Sequence, residues 1–238
     1  MLQDFLKRLL SGGSLAAASS KWPQHLRDYM SRKRKVDRAT MIGDARFVVF
    51  DTETSGLDFS KNRLLSIAGV AMTGFQVNLD DTFDAMVAQT DVGGADAAVV
   101  HGLISSDLAE GLPECEAASR FLAYAGDAVL VAHHAAFDLK MLQKALAECR
   151  GAKVWNAWVD TAQLARRIEV GPMTSTDPHG ADEREPYRLD NLVRRYGIEV
   201  PERHTAAGDA LATALLFQRL LKRAEHRGIR TLGDLLSK

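Results

Sequence analysis

The run FVVFDTE at residues 47–53 constrains the fold of this 238-residue chain more than any other feature. Four apolar residues, β-branched or aromatic, are typical of a buried strand. Asp51 and Glu53 follow with Thr52 between them, and residues two apart in a strand point to the same face. The two carboxylates therefore converge, and they repel each other unless one takes up a proton or a cation lies between them.

A divalent metal ion between Asp51 and Glu53 is one way to relieve this repulsion. Mg²⁺ prefers one or two carboxylates together with water and substrate phosphates. The alternative is a strand that ends in a solvent-exposed turn, because SGLD at 55–58 has the composition of a turn. This stretch by itself leaves both interpretations open.

The order of strand and helix patterns predicts an α/β protein. The stretches LLSIAGVAM (64–72) and FQVNL (75–79) are separated only by Thr-Gly, which indicates an antiparallel meander with the first strand. AVLVAHH (128–134) is fully apolar and lies between helical patterns, so it is predicted to be an internal, parallel strand. With VWNAWVD (154–160) as a further strand, the chain is predicted to form a mixed β-sheet flanked by helices.

Residues 1–44 are predicted to be an N-terminal helical and basic appendage with a flexible linker, and residues 45–238 the main domain. LQDFLKRLL is helix-like, and SGGSLAAASS has the composition of a flexible linker. SRKRKVDR at 31–38 is a basic cluster, for which a solvated helix face is favoured over a phosphate-contacting patch.

Composition and charge limit the possible functions and surroundings. A net charge of −1 gives no support for a protein that grips a long duplex, but it is compatible with an enzyme that handles a strand end. No apolar run reaches the roughly 18 residues of a membrane span, so we expect a cytoplasmic protein without membrane contact. Cys115 and Cys149 are predicted to be buried thiols in a reducing compartment, and Trp155 and Trp158 to pack in the core.

Two further stretches place acids where helices begin. In VLVAHHAAFDL a strand is followed by a helix, and Asp138 falls in its first turn. In ERHTAAGDALATALLF, His204 lies in a loop, and Asp209 lies one turn into a long helix. Acids are favoured at helix N-termini by the helix dipole, so each acid alone has a purely structural interpretation. Together with Asp51 and Glu53 they make a set of four acids and one histidine.

The three stretches FDTETSGL, VAHHAAFD and HTAAGDA, in this order, resemble the motifs of the DEDDh 3′–5′ exonucleases. This family includes the proofreading (epsilon) subunit of bacterial DNA polymerase III. VVHGLI (99–104), VDTAQLAR (159–166) and RLDNLVRRYGI (188–198) are also similar to the family, and the resemblance extends over residues 45–223. His134 stands where the family has asparagine. The resemblance implies an RNase H-like fold.

The resemblance also implies a metal-dependent exonuclease that releases nucleoside 5′-monophosphates from a 3′ end, with DNA as the expected substrate. Four carboxylates can hold two Mg²⁺ or Mn²⁺ ions, which orient and activate water and stabilise the departing 3′ oxygen. A histidine can act as general base because its imidazole titrates near neutral pH. The expected catalytic set is Asp51, Glu53, Asp138, His204 and Asp209, and the four acids are the expected metal ligands.

Contacts with the terminal nucleotide are implied mainly by the first motif. For His101 a turn-capping role is an equal alternative, for Phe137 packing under the helix is favoured, and Asp160 is predicted to cap a helix. Asp96 is a candidate for contact with the terminal sugar. The expected substrate-binding residues are Thr52, Thr54, Leu57, Asp96, His101 and Phe137.

Two other functions remain open at this level. One is an RNA-trimming exoribonuclease of the same fold, because the catalytic set would be shared. The other is a non-catalytic RNase H-like scaffold in a replication or repair complex. The expected partner is a nucleic-acid 3′ end, with replication or repair proteins as further candidates. A stable polymerase partner is not expected, because the chain stops soon after its last predicted helix.

Overall fold

One mixed sheet organises the protein in the computed structural model, which describes residues 22–32, 35–56, 58, 61–88, 111–149, 151–170 and 185–237. Within these residues the strand order is β3-β2-β1-β4-β5. The first three strands pair antiparallel, whereas β4 runs parallel to β1 and β5 parallel to β4. The predicted meander with parallel strands beside it is confirmed. The strands are β1 (Arg46–Thr54), β2 (Leu64–Thr73), β3 (Gln76–Met86), β4 (Val129–Ala132) and β5 (Trp158–Asp160).

Helices cover both faces of this sheet. None of the helices in the described residues is long and apolar enough to cross a membrane. Short 3₁₀ helices lie at Ile42–Asp44, Leu146–Glu148 and Glu185–Tyr187. The α-helices are α1 (Gln24–Ser31), α2 (Glu114–Ala125), α3 (Ala136–Ala145), α4 (Thr161–Glu169), α5 (Leu189–Arg195), α6 (Ala206–His226) and α7 (Leu232–Leu235).

Alternate residues of β1 face two different hydrophobic layers. Phe47 packs edge-on against Phe217 of α6, with ring centroids 5.1 Å apart. Phe50 contacts Phe121 of α2 on the other face, at 5.0 Å. Because the side chains of a strand alternate, Asp51 continues the face directed at α6, and the next residue continues the face directed at α2 and α3.

The described residues ahead of β1 contact the main domain. Leu26 and Tyr29 of α1 are buried in the same core as α2. Met41 forms a β-bridge with Thr231, just before α7. The division of the chain at residue 45 stays a prediction, because these contacts do not define where an independent unit begins. The interpretation of 31–38 as a helix face is wrong for 35–38, because α1 ends at Ser31.

Two predictions about side chains are corrected. Cys115 and Cys149 form a disulfide, not two free thiols. The start of α2 lies beside the segment that follows α3, so the two Cα atoms are 6.2 Å apart, within the range that a disulfide can bridge.

The second correction concerns the tryptophans before and within β5. The predicted strand over 154–160 is shorter, since only Trp158–Asp160 pairs with β4. Trp155 is 50% exposed and Trp158 is 40% exposed, so the core-packing prediction is wrong. The reason is topological: β5 lies at the edge of the sheet, and its outer side has no neighbouring strand in the described residues.

Candidate active site

The first two acids lie at the end of β1, the central strand of the sheet. Asp51 and Glu53 point to the face that carries α6, and Glu53 is buried. The pairing of β1 with β2 shifts its register after Glu53, which ends the regular strand. Thr54 then donates its hydroxyl to the carbonyl oxygen of Gly56 at 2.8 Å. The turn predicted from the sequence SGL therefore follows the strand, and both acids remain within the strand.

Asp138 reaches the same end of the sheet from α3. It is buried in the first turn of α3, as the sequence predicts. Thr52 donates its hydroxyl to Asp138 Oδ1 at 2.6 Å, so the residue between the two acids of β1 fixes the third acid. A nucleotide contact by Thr52 stays a prediction, because this structure uses its hydroxyl within the protein.

The turn that leads into α3 is held by the residues that begin α4. Asp160 Oδ1 accepts hydrogen bonds from the N–H groups of Ala162 at 2.9 Å and His134 at 3.2 Å. His133 Nδ1 pairs with the Thr161 hydroxyl at 2.8 Å. The prediction that Asp160 caps a helix is confirmed. Its carboxylate thereby connects the turn after β4 to the turn after β5. This connection helps to position the start of α3, which carries Asp138.

His134 keeps the backbone geometry of this turn although the resembled family has asparagine there. Its φ is 58°, in the left-handed region that asparagine adopts readily and that histidine also visits. The imidazole is exposed and lies edge-on to the ring of His133, with centroids 4.6 Å apart. Burial and the neighbouring His134 lower the pKa of His133 to about 3, so the imidazole of His133 is neutral at physiological pH.

Asp209 reaches the site from the first turn of α6. The Thr205 hydroxyl caps this helix by accepting the N–H of Gly208 at 3.0 Å. A Cβ at Gly208 would collide with the carbonyl oxygen of Glu202, so glycine allows the preceding loop to lie against the helix. Asp209 Oδ1 accepts the backbone N–H of His204 at 3.1 Å. The loop and the fourth acid are therefore one unit.

The backbone of His204 is in the left-handed region, with φ of 66°. For a residue with a Cβ this conformation costs about 1–2 kcal/mol. The imidazole of His204 is exposed, on the loop that the sequence predicts. The hydrogen bond from its backbone N–H to Asp209 stabilises the residue in this conformation.

The acids act on one another through their charges. Burial raises the pKa of Asp51 well above its ordinary value, and the charges of Asp138, Asp209 and Glu53 raise it further. Burial, followed by Asp209 and Asp138, raises the pKa of Glu53 to about 7. Burial also raises the pKa of Asp138 to about 7, against the opposing hydrogen bond from Thr52. Residues from β1, α3 and α6 therefore form one electrostatic cluster.

The donor set of this cluster suits a hard divalent cation. Mg²⁺ and Mn²⁺ prefer carboxylate oxygens, and a bound cation relieves the repulsion that raises these pKa values. Among the described residues, no group of three or more His, Cys, Asp or Glu side chains has the geometry to hold a metal ion as it stands. The carboxylate oxygens of these acids fit the charge and the ligand preference of such an ion.

Several predicted substrate contacts stay predictions. Leu57, Asp96 and His101 lie outside the described residues. Phe137 is half-buried and packs against the core cluster beneath α2 and α3, as expected if it packs under the helix. Sequence reasoning missed Arg203, whose guanidinium contacts Asp209. The sequence feature that could have indicated it is its position immediately before the predicted catalytic histidine.

Comparison with known families places this site in a class. Residues 48–217 match the family model described as Exonuclease (RNase T). The match covers more than half of the chain, so the chain belongs to this exonuclease family. The resemblance seen in the three motifs is thereby confirmed at the level of the family.

Curated relatives of the chain include DNA polymerase III proteins. The DNA polymerase III subunit epsilon-like protein of Rhodobacter capsulatus is 35% identical over 201 residues, which is 83% of this chain and 27% of the relative. The PolC-type DNA polymerase III of Listeria monocytogenes is 32% identical over 192 residues, which is 79% of this chain and 12% of the relative. The chain therefore spans only a minor part of the length of these relatives.

Solved structures of exonucleases share the fold. E. coli exonuclease I in complex with a dT13 oligonucleotide aligns with a TM-score of 0.60 at 16% identity, over 78% of this chain and 43% of that one. Exonuclease X in complex with 5′ overhanging duplex DNA aligns with a TM-score of 0.56 at 20% identity, over 75% of this chain and 93% of that one. The predicted RNase H-like mixed sheet is confirmed.

Proposed function

We propose that the chain is a metal-dependent 3′–5′ exonuclease that hydrolyses phosphodiester bonds at DNA 3′ ends and releases nucleoside 5′-monophosphates. The observation that carries the proposal is the electrostatic cluster at the end of β1, which lies within a domain of the exonuclease family. A group of buried carboxylates that raise one another's pKa is costly for folding. Such an arrangement is typical of a functional site.

The four acids would hold the metal ions. The exonuclease family depends on divalent metal ions, and the structures similar to this chain include the zinc ion bound form of an exonuclease I–ssDNA complex. When bound, Mg²⁺ or Mn²⁺ would supply the positive charge that activates water and stabilises charge on the leaving oxygen. The ligands that we assign are Asp51, Glu53, Asp138 and Asp209.

His204 is the proposed general base. Its backbone N–H donates to Asp209, and its side chain is exposed, which supports this role. The imidazole takes a proton from the attacking water, whose oxygen forms a bond to the phosphorus of the terminal phosphodiester. The bond from phosphorus to the 3′ oxygen of the preceding nucleotide breaks, and that oxygen takes up a proton from solvent. The products are a nucleoside 5′-monophosphate and a strand with a new 3′-hydroxyl.

DNA is the proposed substrate because of what the similar proteins are named and bound to. The curated relatives are DNA polymerase III proteins, and the aligned exonuclease structures hold DNA. The net charge of −1 suits an enzyme that binds the end of a strand and not a long duplex. The proposed contacts with the terminal nucleotide stay Thr52, Thr54, Leu57, Asp96, His101 and Phe137.

The test is a nuclease assay on oligonucleotides labelled at either end. Single-stranded, duplex and 3′-mismatched DNA and a short RNA would each be incubated with Mg²⁺ or Mn²⁺, and with EDTA. We expect a 3′ label to be released at once as a mononucleotide. A 5′ label should instead move through a ladder of shortened strands.

Each outcome of this assay bears on a separate part of the proposal. Release of the 5′ label as a mononucleotide would reverse the polarity. Full activity in EDTA would contradict metal dependence. Faster digestion of RNA than of every DNA would point to an exoribonuclease, and no release from any substrate would favour the scaffold role.

A further inference from the structure

Arg203 is a cation at the centre of the site that the proposed reaction does not use. Its Nε donates to Asp209 Oδ1 at 2.6 Å, and its Nη2 donates to Asp190 Oδ1 on α5 at 2.9 Å. The guanidinium is largely enclosed, since only 20% of the side chain is exposed. It therefore bridges an acid of the site to an acid at the rim.

The charge of Arg203 also acts on β1. It lowers the pKa of Asp51, in opposition to burial and to the neighbouring carboxylates. In the protein without a metal ion, the guanidinium thus supplies part of the positive charge that the acid cluster needs. Hydrogen bonds of this charge-assisted kind are stronger than those between neutral groups.

Arg203 contacts a carboxylate that is one of the proposed metal ligands. Asp209 Oδ1 already accepts hydrogen bonds from Arg203 Nε and from the backbone N–H of His204. A guanidinium and a divalent cation held by one carboxylate repel each other, whichever of its two oxygens the ion contacts.

We infer that Arg203 is a positioning residue that competes with the divalent metal ion for Asp209. When the ion binds, the guanidinium leaves Asp209 and remains attached to Asp190 at the rim of the site. This inference rests on the proposed metal-dependent function and adds to it a resident counter-ion that no family motif predicted.

The exchange also reaches the proposed base. Arg203 and His204 are adjacent and hold the same oxygen of Asp209, and the backbone of His204 is left-handed. A change at Asp209 therefore alters the hydrogen bonds that hold His204. Metal binding and the placement of the imidazole are coupled through this short loop.

The first test compares Mn²⁺ affinity, measured as loss of the free Mn²⁺ signal in electron paramagnetic resonance. The variant is Arg203→Gln, which removes the charge. The matched control is Arg195→Gln, because Arg195 forms an ion pair with Glu169 at 2.8 Å and is not among the groups that shift the pKa values of the site acids. We expect about tenfold tighter Mn²⁺ binding by Arg203→Gln, equivalent to one charge-assisted hydrogen bond that no longer has to break. The control should match the wild type.

The second test separates competition from a merely structural role. Thermal unfolding of the wild type and of Arg203→Gln would be followed in EDTA and in saturating Mn²⁺. We expect the variant to unfold at a lower temperature in EDTA, where its acids lack the counter-ion, and at the wild-type temperature in Mn²⁺. Arg203→Lys keeps the charge and should lie closer to the wild type in both tests.

Three outcomes overturn the inference. Equal or weaker Mn²⁺ binding by Arg203→Gln would show that the guanidinium does not compete. An equal loss of thermal stability in EDTA and in Mn²⁺ would make Arg203 a structural residue only. Both results leave the proposed nuclease intact. Failure of the wild type and of the variant to bind Mn²⁺ would refute the metal-dependent function, and the inference together with it.

Discussion

Two groups of buried polar side chains lie at opposite ends of the parallel strands, and they differ in how their polar atoms are matched. The acids Asp51, Glu53 and Asp138 lie at the carboxyl end of β1. Their pKa values are raised by burial and, for Asp51 and Glu53, also by the charges of neighbouring acids. At the amino end of β4, Tyr29 donates its hydroxyl to Asn156 Oδ1 at 2.7 Å, within a network of matched donors and acceptors.

The network around Tyr29 is complete in a way that the acid cluster is not. The Tyr29 oxygen accepts the backbone N–H of Trp155 at 3.0 Å. Asn156 Nδ2 donates to the carbonyl oxygens of Gly126 at 3.0 Å and Ala128 at 2.8 Å. Matched buried hydrogen bonds stabilise a fold, whereas buried like charges destabilise it until a cation binds. The comparison therefore separates a structural polar cluster from the one that we propose to be functional.

The largest effect should follow the removal of one acid from the functional cluster. We expect Asp51→Asn to lower the nuclease rate by about a thousandfold or more, because several kcal/mol of transition-state stabilisation depend on the bound ions. The free energy of unfolding without metal should stay unchanged or rise, because repulsion is relieved. Oligonucleotide digestion and urea titration measure the two quantities.

The control for Asp51→Asn is Asp127→Asn, an exposed acid near the other end of the sheet. It should keep full activity. If Asp51→Asn digested DNA at the wild-type rate, the assignment of the acid cluster as the active site would be wrong.

The next effect concerns His204, the proposed general base. We expect His204→Gln to reduce turnover about 10²–10⁴-fold, as loss of a general base does, while Mn²⁺ affinity is largely kept. Single-turnover kinetics together with Mn²⁺ titration separate the two. His226→Gln, in the last turn of α6, is the control. Unchanged turnover in His204→Gln would mean that another group accepts the proton.

Stability against pH distinguishes the two clusters without any substitution. The folded-state pKa values of Glu53 and Asp138 are about 7, above their ordinary values of 4.5 and 3.8. The folded state therefore binds these protons more tightly than the unfolded state does. The free energy of unfolding without metal should fall as pH rises from about 4.5 to about 7, by on the order of 3 kcal/mol for each of the two groups.

Urea titrations between pH 4.5 and 8 in EDTA measure this slope. Glu53→Gln removes one of the two titrating groups, so its stability should fall less steeply with pH. Saturating Mg²⁺ should reduce the fall of the wild-type curve between pH 4.5 and 7, because a bound cation favours the ionised acids. Parallel curves for the wild type and Glu53→Gln would contradict the raised pKa of Glu53.

The smallest effect belongs to the structural cluster. We expect Tyr29→Phe to lower the free energy of unfolding by about 1–3 kcal/mol, because Asn156 Oδ1 and the Trp155 N–H lose a buried partner. Nuclease activity below the unfolding transition should be unchanged. Tyr124→Phe is the matched control, since its half-buried hydroxyl has the Asp81 carbonyl as acceptor. A larger loss in Tyr124→Phe would mean that the Tyr29 network is not the more stabilising of the two.

The sequence alone determined those features that depend on local periodicity and on helix ends. Alternation along β1 predicted that Asp51 and Glu53 share a face, and the structure has them on the side of α6. Helix-start patterns located Asp138 and Asp209 in first turns and Asp160 at a cap. These predictions succeed because each depends on a few neighbouring residues whose spacing sets where their side chains point.

The tertiary structure decided the features that depend on which distant segments meet. The disulfide of Cys115, the exposure of Trp155 and the burial of Tyr29 each follow from the packing order of strands and helices. The bridge from Arg203 to Asp190 likewise needs α5 to lie beside the start of α6. These contacts depend on which distant segments pack together. Local residue spacing does not predict that packing, because the hydrophobic effect that drives it is not directional.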